Sequence, residues 1–150
     1  MGVITVANVL QTAEDFESKL EDYYRQIAEH STREGVKLLA SYMGRHRRRL
    51  AEALDRLEPE VRSSIDAFPI RYEPLAPDSA LFSDIELPTN APASEILDIA
   101  VEVDDSLINL YRQVLKLELD QEVRDLFESL VHAEERDAIE LKKIKAMDYF

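Results

Sequence analysis

The chain has 150 residues, a formal net charge of −13 and no cysteine. That length suits one domain with its own core, and the missing thiols exclude disulfides, zinc–thiolate sites and thiol nucleophiles. The acidity argues against nucleic acid and against an anionic membrane surface as partners, since both would repel it.

Apolar residues make up 45%, and only three residues are glycine. This is a helical profile, with breakers confined to element ends and one connecting stretch. Met1 to Thr12 has no basic start and no continuous apolar run, so it does not read as a secretory signal. Val6 stands where a myristoylation motif needs Ser or Thr. The expected location is the cytoplasm.

The periodicity predicts four long helices. The first starts between Thr5 and Ala13 and runs to about Glu29, with Glu17, Leu20, Tyr24 and Ile27 on its inner stripe. His30-Ser31-Thr32 breaks it, and Ser31 with Glu34 reads as a capping box for the second helix. That helix carries Val36, Ala40, Met43, Arg47, Leu50, Leu54 and Leu57 on one face and stops before Pro59. Residues 58–93 contain all six prolines, with Phe68, Tyr72 and Phe82 between them. They read as an ordered crossover packed along the bundle. Ser94 is the expected N-cap of the third helix, whose inner stripe is Leu97, Ala100, Asp104, Leu107, Tyr111 and Val114 up to about Leu117. Asp120 is expected to cap the fourth, which turns Val123, Phe127, Leu130, Glu134, Asp137, Leu141 and Ile144 inward. No segment alternates long enough to propose a sheet. The expected fold is all-α: one domain over 1–150, with hairpin one at about 5–57, crossover 58–93 and hairpin two 94–148.

The hairpins repeat one pattern at an offset of 87 residues. Tyr24-Arg25-Gln26-Ile27 overlays Tyr111-Arg112-Gln113-Val114, and Leu20, Leu39 and Leu54 overlay Leu107, Leu126 and Leu141. The same offset places Glu17 on Asp104, Arg47 on Glu134 and Leu50 on Asp137. Each helix therefore carries a charged residue on an otherwise apolar stripe. An unpaired carboxylate there costs several kcal/mol, so a bound cation, a buried arginine or protonation must compensate.

These features resemble the ferritin-like superfamily, and its rubrerythrin-type branch in particular. The resemblance rests on Glu17 seven residues before Tyr24, Asp104 seven before Tyr111, and a ligand motif due 23 residues after each tyrosine. It implies a four-helix bundle of two repeated hairpins. It also implies a di-iron site built from a Glu on two helices and a Glu-x-x-His on the other two. The second motif survives in part as Glu134-Glu135-Arg136-Asp137, with Asp in the histidine place; the first is lost as Arg47-Arg48-Arg49-Leu50.

Two functional readings follow. In the first, the Arg47 guanidinium takes the metal's place among Glu17, Asp104 and Glu134, and the protein is a non-catalytic binding or interaction module without a cofactor. In the second, Glu17, Asp104, Glu134 and Asp137 hold one Fe or Mn ion for oxidase, peroxidase or metal-storage chemistry. Outward rotation of some of these side chains is a third arrangement. Tyr24 and Tyr111 read as core residues bonded to the buried acids, and the family's use of such tyrosines near metal gives them a redox alternative. The run Arg45-His46-Arg47-Arg48-Arg49 spreads around a helix, and so reads as solvated surface rather than one anion-binding face. His30, His46 and His132 read as ordinary, partly exposed residues. A homodimer and an unidentified protein partner are expected, and the end Met147-Asp148-Tyr149-Phe150 reads as a docking segment.

Overall fold

The computed structural model describes residues 4–45, 49–70 and 91–147. It is an all-α bundle of two helical hairpins. Helix α1 (Val6–His30) packs chiefly on α2 (Glu34–Arg45), while α5 (Ala93–Leu115) packs chiefly on α6 (Gln121–Met147). Helix α3 (Arg49–Asp55) lies against α6 and α1, and α4 (Pro59–Asp66) bridges α1 and α6. The long elements keep the offset of the sequence pattern: Ala93 stands 87 residues after Val6, and Gln121 stands 87 after Glu34.

Local chemistry sets each start. The Asn8 side chain accepts the Thr5 backbone N–H at 2.9 Å, closing the first turn of α1. Asp120 precedes α6 and its carbonyl accepts the Arg124 N–H at 3.0 Å. The Arg124 guanidinium reaches back to the carbonyls of Leu115 and Leu117, both at 3.2 Å. It thereby satisfies acceptors that the end of α5 would otherwise leave open.

The inner stripes form one continuous core. Leu20, Tyr24 and Ile27 meet Val36, Ala40 and Met43 in hairpin one. Leu107, Tyr111 and Val114 meet Val123, Phe127 and Leu130 in hairpin two. Leu50 and Leu54 are buried as expected; Leu57 and Ile144 are only partly covered.

Four local expectations are corrected. Ser31 makes no capping box, because α2 begins at Glu34 and the Ser31 hydroxyl instead accepts the Arg33 N–H at 3.2 Å. Ser94 is inside the first turn of α5, whose N-cap is Pro92, with the Glu95 N–H bonded to the Pro92 carbonyl at 3.1 Å. The crossover contains a helix despite its prolines: Pro59 occupies the first turn of α4, where its missing N–H costs nothing. Arg62 and Asp66 then pair across one turn at 3.0 Å. A short strand pair exists as well, β1 (Ile4–Thr5) antiparallel to β2 (Pro69–Ile70), and the Val6 N–H continues it to the Phe68 carbonyl at 2.9 Å. The rest of the expected crossover, 71–90, lies outside the described residues, as do His46, Arg47, Arg48 and Asp148 to Phe150.

Candidate metal centre and the groove beside it

Asp104 comes from the middle of α5, and Glu134 and Asp137 come from one face of α6, three residues apart. One carboxylate oxygen from each lies within 4.8 Å of the other two. Asp104 and Glu134 are almost fully buried, at 1% and 2% exposure, and Asp137 is half-buried, so it is less inward than its stripe implied. Two turns further along the hairpin, the rings of Tyr111 and Phe127 meet edge to face, with centroids 5.9 Å apart. That pair seals the core beneath the acids.

Three ionised carboxylates at this spacing repel by roughly 3 kcal/mol per pair at an effective dielectric of about 20. Burial adds a desolvation cost, which a cation held by the cluster would offset. Its donors are all oxygen, which suits a hard ion or a guanidinium.

Among the described residues the donor set does not match a di-iron centre with a histidine on each motif helix. His30 and His132 are exposed, and the position that repeats Asp137 in hairpin one is Leu50, a buried apolar side chain in α3. Glu17 is buried in α1 but lies outside the cluster of three acids. Three of the four acids named from the sequence thus meet in one cluster, and Glu17 is buried in α1. Arg47, the residue expected to take the metal's place, falls outside the described residues.

Hairpin one has a second feature that the inner stripes did not signal. Between α1 and α2 lies an open groove of about 600 Å³, with Tyr24, Ala28, Ala40 and Gly44 on its apolar side and Arg25 and Arg45 at its rim. Arg25 is held by Asp22 of the same helix. Tyr24 meets Tyr23 edge to face at 5.7 Å. Burial, aided by the carboxylate of Glu95, pushes the Tyr23 phenol up to about 12.

Comparison with known proteins agrees with the architecture. A family model described as Rubrerythrin matches residues 8–145. Among solved structures, a protein of Thermotoga maritima described as ferritin-like and diiron-carboxylate superposes with a TM-score of 0.58. It shares 19% identity, and the match covers 97% of each chain, a likeness that bears on fold alone. No curated protein sequence matches.

Proposed function

The chain belongs to the rubrerythrin family, and we propose that within it this protein is a non-catalytic binding or interaction module. Its inner acids are neutralised by an arginine in place of an iron pair. The observation carrying this reading is the donor set: Asp104, Glu134 and Asp137 cluster on hairpin two, while the repeat partner of Asp137 is the buried Leu50. Arg47 stands at the repeat position of Glu134, which assigns its guanidinium to the cluster. One guanidinium forks onto one carboxylate and reaches a second, offsetting most of the repulsion without a metal. Cytoplasmic location and the absence of nucleic-acid and membrane partners belong to the same reading. No helix among the described residues is long and apolar enough to cross a membrane.

A second reading is favoured by the spacing of the three oxygens, which suits one hard cation. A bound Fe or Mn ion would supply Lewis-acid or redox chemistry there, with Asp104, Glu134 and Asp137 as its holders. The two readings separate on a pair of substitutions, Arg47→Glu with Leu50→His, which return acid and imidazole donors to hairpin one. The arginine reading expects little iron retained by the parent chain and a clear gain in the double variant, read by elemental analysis. A folded double variant that gains no metal contradicts the assigned register.

A further inference from the structure

Hairpin two serves as an internal standard for hairpin one, because the same offset relates residue to residue. At the groove, Ala28, Ala40 and Gly44 stand where hairpin two has Leu115, Phe127 and Val131. Hairpin one has lost the bulk of three apolar side chains there. Tyr24 and Ala40 make a buried floor, while Ala28 and Gly44 are half-buried.

Charge changes at the same place. In hairpin two, Arg112 of α5 bridges to Glu135 of α6. The repeat positions are Arg25 and Arg48, so the sequence puts a second base where that acid stood. Arg25 turns instead to Asp22 of its own helix. Glu128 becomes Ser41 and His132 becomes Arg45, both of which line the groove. Ile108 becomes Glu21 and runs the other way, leaving two bases and one acid among the described lining residues. Bulk and negative charge are thus lost together, in a chain whose net charge is −13.

We propose that the groove between α1 and α2 binds a small monocarboxylate with an apolar body. The groove encloses about 600 Å³, within the range of about 300–1,000 Å³ usual for small-molecule sites. Arg25 on α1 and Arg45 on α2 offer planar guanidinium groups, the donors that match a carboxylate best. One surplus positive charge in the lining suits a single carboxylate rather than a polyanion. The apolar body would cover Ala28 and Gly44 and restore burial that Leu115 and Val131 supply in the twin hairpin. This gives the binding-module reading a ligand class and rests on it. Metal content tests the arginine cluster separately, so the two can fail independently.

The test is titration calorimetry of the full wild-type chain at low salt with 2-naphthoate, cinnamate and octanoate, each beside the corresponding neutral alcohol. At least one carboxylate should saturate with a Kd below about 1 mM, and its alcohol should bind about tenfold more weakly. Ser41→Glu and Arg45→Glu, both at exposed positions, should each weaken the carboxylate about tenfold. Ala28→Leu with Gly44→Val refills the groove with the residues of hairpin two and should weaken it about a hundredfold. A Cβ at Gly44 meets the Tyr24 Cβ at 3.6 Å, an ordinary contact, so circular dichroism should show the helix content kept. Should that double variant fail to fold, the two exposed substitutions still decide. Absence of carboxylate binding, equal affinity for acid and alcohol, or affinity indifferent to these substitutions overturns the proposal.

Discussion

The two hairpins share their helix starts, the Tyr24–Tyr111 pair and four leucine positions, yet they have been filled differently. Hairpin two is the denser and more conventional half. Its Tyr111–Phe127 contact seals the core, Arg124 closes the end of α5, and three acids cluster above. Hairpin one has Ala40 opposite Tyr24, a lysine in place of Arg124 that reaches only Glu34 at 4.0 Å, and an aliphatic Leu50 where an acid stands in its twin. The lesson is that one backbone pattern accommodates an acid, Asp137, in one half and the buried apolar Leu50 at the repeat position in the other.

The comparison can be broken most severely from the dense side. Phe127→Ala makes hairpin two resemble hairpin one, and it removes a fully buried ring. Chemical denaturation should register a loss of about 3–5 kcal/mol. A loss under about 1 kcal/mol would mean that the Tyr111–Phe127 contact does not differentiate the halves.

Arg47→Ala tests the charge balance between the hairpins. If its guanidinium meets the acids of hairpin two, stranding them should cost about 3–5 kcal/mol, again by denaturation. A surface-like loss of about 0.5 kcal/mol or less would remove arginine from the site.

A smaller effect should appear in alkali. Tyr23 belongs to hairpin one alone, its counterpart in hairpin two being Leu110. Its folded value of about 12 lies above the ordinary phenol value of 10.0, so the native state holds the phenolic proton more tightly. That contribution to stability is complete below the unfolded value and is lost as pH rises through the folded one. Tyr23→Leu should therefore flatten the decline of melting temperature between pH 10 and 12, the interval set by those two values. An unchanged decline would assign it to other groups.

Much of this was legible in the sequence. The 3.6-residue stripes placed the long helices, because burial of one helix face imposes that period. The stripes put Asp104, Glu134 and Asp137 on inner faces, and the structure brings an oxygen of each together, with Asp137 half-buried. What escaped depended on position rather than composition. Prolines were counted against helix in the crossover, yet Pro59 at a first turn favours one. Ser94 looked like a cap, and Pro92 took the place two residues earlier. The groove was readable at Ala28, Ala40 and Gly44, but only by asking where the repeat loses volume instead of where it keeps identity.

The central claim, that the family's metal centre has been replaced by an internal cation, meets its most direct test in metal content. The purified wild-type chain would be loaded anaerobically with Fe(II) or Mn(II), desalted thoroughly and subjected to elemental analysis. An arginine-neutralised cluster predicts close to no metal per chain. About one metal per chain, abolished by Glu134→Ala, would contradict it and make the carboxylate cluster a working metal site.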